Sequence, residues 1–337
     1  MPKALIIGPD FYNFNEAVRA AFASAGYETQ VLKYGTPVDP YDSFSRISYK
    51  LTRDKEAARL RNRRHRQIHY AAAFDAFNPD LVFILNGEIL STDTLDFFRK
   101  RARTALWCFD SVRHIPVVQD HIDHVDRFYC YDRSDIEFYR KSGREALFLP
   151  QAADTCIYHP LEGVKKDIDI LFVGDLYHSP RRQRYVQEVI RAFPGKTVKV
   201  AGIYKPWYKG LKAALCDVDR RVFTNRNLPP EKVNELYNRA RVVLNIHNEQ
   251  QKDGANPKVF EICAAGAYQV CDANPYIRQL FPDGEIGLYE TPEQMISCLE
   301  KALDSDMAQD VAAARKKVLA GHTFDARIAQ VIQDINR

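Results

Sequence analysis

The residues best suited to chemistry stand together in Asp253-Gly254-Ala255-Asn256-Pro257-Lys258-Val259-Phe260-Glu261. Pro257 suits the first turn of a helix, because it has no N–H to leave unpaired. That places Glu261 near the helix start, where a carboxylate can accept hydrogen bonds from the two hydroxyls of a ribose. A polar loop running into a helix N-terminus also offers an anion free N–H groups and the positive end of a dipole. Lys258 adds a cation, and Asn256 stands at the cap position. Each residue also has an ordinary reading: Glu261 as a solvated helix-end acid, Lys258 as a surface lysine, Asn256 as a cap. Capping and ligand contact can coexist.

The flanking elements fit that placement. Val242-Val243-Leu244-Asn245-Ile246 reads as a buried strand, followed by a loop carrying Gln250, Lys252, Asp253 and Gly254. Val259, Phe260, Ile262 and Cys263 give the helix an apolar side, Gly266 ends it, and Tyr268-Gln269-Val270 starts the next strand. This is a βαβ unit whose ligand-facing edge is the loop plus the helix N-terminus.

Asn256, Pro257, Lys258, Phe260, Glu261, Ala264, Gly266, Tyr268, Gln269 and Val270 follow in order a pattern of Asn-Pro-basic-x-Phe-Glu-x-x-Ala-x-Gly-x-aromatic-Gln-aliphatic. The stretch resembles the donor-binding signature of the GT-B glycosyltransferases, closest to the CgeB-like (spore maturation protein) branch of the group 1 glycosyl transferases. The resemblance implies an α/β fold of two Rossmann-like doubly wound domains facing a central cleft, with a C-terminal helix packing back on the first domain. It also implies a nucleotide-diphosphate sugar as donor, a UDP-sugar being favoured, and a glycan, lipid-linked or protein acceptor of bacterial surface-polysaccharide type. Retaining members carry a Glu-x7-Glu pair whose first acid touches donor-sugar hydroxyls while the second holds the ribose. Here Asp253 takes the first place and Glu261 the second, a shortening that leaves retention or inversion open.

Length and composition agree with two domains. A chain of 337 residues suits two units of ~150 residues each. Its 46% hydrophobic and 27% charged residues are those of a globular protein without a transmembrane span. MPKALIIGPDF is too short in its apolar part for a signal peptide, so a cytoplasmic location is expected. The seven cysteines are scattered and odd in number, without C-x-x-C, which argues for free thiols and against zinc or disulfides.

Taken in order, Lys3 to Gly8 is a strand, and a helix from Phe11 to Ala25 follows. No G-x-G-x-x-G accompanies this start, so no dinucleotide cofactor is indicated. Further strands end at Asn86-Gly87-Glu88, Asp110-Ser111 and Asp132. Ligands of open α/β sheets lie beyond the carboxyl ends of the strands. Gly8, Asp10, Asn86, Ser111 and Asp132 are therefore acceptor-side candidates, although Gly8 and Asp10 also read as a turn glycine and a helix cap. Asp110 is the preferred base for an inverting reaction, with Glu88 and His114 in reserve. Trp107-x-x-Asp110-Ser111 and Tyr131-Asp132 also resemble the CgeB-like N-terminal half. Domains are expected at 1–155 and 156–320, with a crossing helix at 321–337.

In the second half Gly174 ends a strand and lets backbone approach a diphosphate, with Arg181 or Arg182 as the cation; surface arginines opening a helix are the plain alternative. The resemblance puts nucleobase contacts near Asn225 and adds Val259 to the donor contacts. Asp167-x-Asp169 and Asp217-x-Asp219 read as surface acids rather than a metal-binding pair, so no metal or other cofactor is expected. Arg53, Lys55, Arg59, Arg61, Arg63, Arg64 and Arg66 form a basic run, read as a helix with Leu51, Ala58 and Leu60 inward. Through residues 50–66 it suits solvent, an anionic acceptor or an acidic membrane surface. Nucleic acid is excluded for want of any accompanying motif. An epimerase or hydrolase acting on the nucleotide sugar, or a non-catalytic nucleotide-sugar sensor, are the alternatives on the same scaffold.

Overall fold

Apolar runs such as Ala4–Ile7 and Leu81–Leu85 are buried along their whole length, the condition of parallel strands covered by helices on both faces. They form the centre of the first of two sheets in the computed structural model. The structure describes residues 1–10, 13–35, 47, 50–204 and 222–337, without the side chains of Lys55, Glu56, Ala58, Arg59, Leu60, Asn62 and Arg63. The chain divides into one unit of Met1–Pro150 with Phe324–Arg337 and a second of Gln151–Thr323.

In the first unit β1 (Lys3–Pro9), β2 (Glu28–Tyr34), β3 (Leu81–Leu85), β4 (Arg103–Cys108), β5 (Arg127–Cys130) and β6 (Leu147–Phe148) lie in the order β2-β1-β3-β4-β5-β6. All pair in parallel. The helices are α1 (Phe14–Ser24), α2 (Lys55–Phe77), α3 (Thr92–Arg99) and α4 (Arg133–Lys141), with a 3-10 helix at Pro116–His124. The closing helix Phe324–Ile335 belongs to this unit, as the resemblance implied. Phe324 packs on Phe14 and Trp107 at centroid distances of 6.0 and 6.2 Å. Arg327 Nε donates to the Pro150 carbonyl at 2.7 Å, and Arg127 Nε to that of Asp334 at 3.0 Å.

The second unit holds β7 (Ile168–Val173), β8 (Val198–Ala201), β9 (Ala240–Asn245), β10 (Tyr268–Asp272) and β11 (Gly287–Tyr289), in the order β11-β10-β9-β7-β8. This sheet is also parallel. Its helices are α5 (Pro180–Ala192), α6 (Pro230–Arg239), α7 (Pro257–Ala264), α8 (Pro275–Leu280), α9 (Pro292–Asp304) and α10 (Ala308–Gly321). The closing helix is then α11. Within the second unit Ala153 donates its N–H to the His322 carbonyl at 3.0 Å and bridges Thr323, so the two ends of that unit are joined.

Three local expectations change. The first helix begins at Phe14 with Asn13 at its cap position, and Asp10 pairs with Lys33 Nζ at 3.4 Å. The basic run is not one helix: Arg53 has φ 55, the chain leaves helical geometry at 53–54, and α2 starts at Lys55. Leu51 consequently stands 79% exposed instead of facing inward, while Arg66 is buried. The side chains of Ala58 and Leu60, and residues Asp217 and Asp219 as a whole, lie outside what is described. Among the described residues no helix is long and apolar enough to cross a membrane, and the six described cysteines are free.

Candidate active site

The carboxyl ends of β10, β9 and β7 are neighbours in the second sheet, and the signature helix α7 starts above them. Asn256 caps α7 by accepting from the Val259 N–H at 3.2 Å. The same side chain forms a reciprocal pair with Asn245 at the end of β9, at 2.9 and 3.2 Å. Capping therefore also anchors the helix start to the sheet edge. At the far end Gly266 takes φ 73; its N–H reaches Cys263 O at 3.0 Å, and the Ala267 N–H reaches Ile262 O at 3.1 Å. That left-handed ending suits glycine, because a Cβ is strained there. Val259 is buried and its carbonyl receives Gln269 Nε2 at 2.9 Å, so α7 is held to β10 as well.

Glu261 lies one turn into α7 and is 8% exposed. Burial pushes its carboxyl up to about 7, with Asp154 adding to the rise, while Lys258 and a hydrogen bond from Tyr158 pull the other way. The half-buried Lys258 has its ammonium pKa lowered by burial and by Arg182, with Glu261 opposing. An acid and a base one helical turn apart, both with pKa values drawn toward neutrality, are typical of a binding or reaction site rather than a solvated helix end.

The two arginines after Gly174 do different things. Arg182 is buried and donates to the Ile246 carbonyl from Nε at 2.9 Å and from Nη2 at 2.7 Å, bracing the end of β9. Arg181 is partly exposed and donates to Asp272 Oδ2 at 2.9 Å. Asp272 in turn accepts from the His247 N–H at 2.9 Å and contacts His247 Nδ1 at 2.7 Å. Burial alone would raise the Asp272 pKa, but His247 and Arg181 outweigh it and hold the carboxyl at about 2. This buried Arg181–Asp272–His247 cluster is the part sequence reasoning missed, apart from Arg181. The signal was present: His247 and Asp272 follow apolar strands at their carboxyl ends, as Asp110 does. Cys271 also lies beside them, its ligand atom within 4.8 Å of those of His247 and Asp272. Both Asp272 oxygens are committed to His247 and Arg181, burial pushes the Cys271 thiol up, and the buried His247 Nε2 has no hydrogen-bond partner among the described residues.

Gly174 and Gly202 make the next turn of the edge. A Cβ on Gly202, at φ 138, would fall 2.0 Å from the Gly174 carbonyl oxygen. Asn225, at φ 49, accepts from the Tyr204 N–H at 2.9 Å. Asp253 is half-buried in the loop before α7. Asp167 and Asp169 are engaged by Arg239 and Arg241 at 2.7 and 3.0 Å.

In the first unit Asp110 and Glu88 come together. Burial raises the Glu88 pKa, the Tyr34 hydroxyl at 2.7 Å opposes, and the charge of Asp110 adds to the rise. The other candidates serve the framework. Asn86 accepts from the Phe109 N–H at 2.7 Å, bracing β3 against β4. Ser111 donates to Asp135 at 2.8 Å. Asp132 caps α4 through the Ser134 N–H at 2.9 Å. His114 is exposed, with its N–H on the Ser111 carbonyl at 2.9 Å. A Cβ on Gly8 would meet Asn15 Oδ1 at 2.2 Å.

The chain matches the family model described as Glycosyl transferase-like over residues 181–333. The fold is that of the GT-B glycosyltransferases. A sucrose-phosphate synthase from Thermosynechococcus elongatus superposes with a TM-score of 0.70 at 13% identity, covering 99% of this chain and 98% of that one. An alpha,alpha-trehalose 6-phosphate synthase from Burkholderia multivorans gives 0.67 at 13% identity, covering 100% and 96%. An Anabaena protein, HepE, in complex with UDP and glucose gives 0.63 at 9% identity, covering 100% of both chains. No curated protein sequence gives a significant match.

Proposed function

We propose that the protein is a glycosyltransferase of the CgeB-like kind, moving a sugar from a nucleotide-diphosphate sugar to a glycan, lipid-linked or protein acceptor without a metal ion. The observation that carries this reading is α7: a helix N-terminus anchored to the sheet edge by Asn256 and Asn245, with Lys258 and the buried Glu261 one turn apart. Glu261 receives the ribose hydroxyls. Lys258, Arg181 and the α7 N–H groups take the diphosphate, supplying in place of a metal the charge that stabilises its departure. Arg182 acts behind them by fixing the Ile246 carbonyl. Gly174 lets backbone come close, Asn225 faces the base, and Asp253 takes the sugar hydroxyls. A UDP-sugar is the preferred donor, a preference supported by the neighbour solved with UDP and glucose.

On the acceptor side, the first unit supplies the Glu88–Asp110 pair. Burial, joined by the charge of Asp110, raises the Glu88 pKa, and Glu88 stands in reserve behind Asp110. Asp110 is the base for an inverting reaction. Free cysteines suit a reducing cytoplasm. Exposed Leu51 and Ile68, standing among exposed Lys50, Arg53, Arg61 and Arg64, favour contact with an anionic membrane surface; cosedimentation with phosphatidylserine vesicles but not with neutral ones tests it.

Calorimetric titration with UDP, GDP and dTDP, followed by donor-consumption assays with and without EDTA, tests the central reading. Binding of one nucleoside diphosphate is expected, as is turnover insensitive to EDTA. Absence of any nucleotide binding refutes it.

A further inference from the structure

Asp272 ends β10 with its carboxylate buried, and both of its oxygens are engaged. Oδ1 accepts from the His247 main-chain N–H at 2.9 Å and lies 2.7 Å from Nδ1 of the same residue. Two contacts from one residue hold the carboxylate against rotation and leave Oδ2 turned to Arg181 Nη2, at 2.9 Å. The ring of His247 is itself buried, and its Nε2 has no hydrogen-bond partner among the described residues. Its polar contacts lie on the Nδ1 side, against Asp272 and, at 3.8 Å, the Cys271 sulfur.

Arg181 is the member of the cluster that reaches solvent, with 26% of its side chain exposed. It stands in the first turn of α5, where the helix N–H groups have no partner within the helix. Its Cζ lies 5.2 Å from the ring centre of the buried Tyr185, one turn further on. An arginine set between an aromatic face and a fixed carboxylate oxygen has little side-chain freedom left to lose when an anion arrives. The neighbouring Arg182 is spent on the Ile246 carbonyl, so Arg181 is the arginine of this pair that is presented outward.

We propose that Asp272 is a positioning residue for diphosphate capture: held through Oδ1 by His247, it aims the Arg181 guanidinium through Oδ2. This rests on the reading of Arg181 as a diphosphate contact. The guanidinium fork matches two phosphate oxygens at once, which an ammonium cannot do, so its orientation matters as well as its charge. Coulomb's law runs the other way, because a carboxylate near a diphosphate repels it. Charge alone predicts tighter diphosphate binding in Asp272→Asn, and positioning predicts weaker binding.

The experiment is calorimetric titration of the full chain with UDP, GDP and dTDP, and with the monophosphate of each nucleotide that binds. Wild type is compared with Arg181→Ala, Arg181→Lys, Asp272→Asn and the Arg181→Ala, Asp272→Asn double variant, each checked for folding by circular dichroism. The quantity read is the dissociation constant of the monophosphate divided by that of the diphosphate. Arg181→Ala is expected to lower this ratio about tenfold, the scale of a lost hydrogen bond between charged groups. Asp272→Asn and Arg181→Lys lower it several-fold, and the double variant falls no further than Arg181→Ala, because Asp272 acts through Arg181. The inference is overturned, with the α7 site left standing, if the ratio in Asp272→Asn rises or stays at the wild-type value. Losses that add in the double variant, an unaltered ratio in Arg181→Ala, or a lysine variant equal to wild type overturn it as well. If the asparagine variant fails to fold, Arg181→Lys, which keeps Asp272 in place, decides by itself. Wild type that binds none of the three diphosphates removes both the inference and the reading beneath it.

Discussion

Replacing Asp272 by asparagine keeps the shape of the Arg181–Asp272–His247 cluster and removes its negative charge. The Asp272 pKa stands at about 2 against its ordinary 3.8. That gap, at about 1.36 kcal/mol per pH unit, amounts to about 2.4 kcal/mol of folding free energy. Because the folded-state pKa is depressed, the contribution is present above the unfolded value and is lost as pH falls through the folded one. At pH 7 it is complete, and at pH 3 about 1.3 kcal/mol remains by the same relation. Asp272→Asn is therefore expected to cost about 2–3 kcal/mol at pH 7, somewhat more if Arg181 is left with its charge uncompensated. The difference between variant and wild type should shrink by about half at pH 3. Urea denaturation followed by far-ultraviolet circular dichroism at the two pH values measures this directly. A penalty of equal size at pH 7 and pH 3 refutes an ionised Asp272 as the holder of the cluster.

Other perturbations address separate parts of the molecule. Glu261→Ala should weaken nucleotide binding by about 1–3 kcal/mol, the scale of a lost hydrogen bond to a charged group; unaltered calorimetric affinity would take Glu261 out of the site. Asp110→Asn is expected to abolish turnover and spare nucleotide affinity, and a surviving rate would disqualify Asp110 as the base. Gly202→Ala forces a Cβ to within 2.0 Å of the Gly174 carbonyl oxygen at φ 138; a drop in melting temperature should follow, and an unshifted melt would contradict the close approach of these turns.

Much of this was legible because the signal was local. The strands reveal themselves as apolar runs bounded by Gly, Asn or Asp, and α7 is written out between Asn256 and Gly266. The convergence of Arg181, His247 and Asp272 was not legible, since it depends on β7, β9 and β10 lying side by side, and strand order is a property of the folded sheet. Leu51 misled because a helical period was extended across Arg53, whose left-handed backbone ends the turn. Asn86, Ser111 and Asp132 show that residues at strand ends also brace and cap the framework.

The return of α11 to the first unit has a consequence for synthesis. The second unit has both its ends tied by the Ala153–His322 pairing, so it can close as soon as residue 323 has left the ribosome. The first unit, begun far earlier, must wait with Trp107, Phe14 and the Pro150 carbonyl uncovered until Phe324 and Arg327 arrive. The half made first is thus finished last, and a nascent chain stalled just short of α11 would present that bare apolar seam to chaperones.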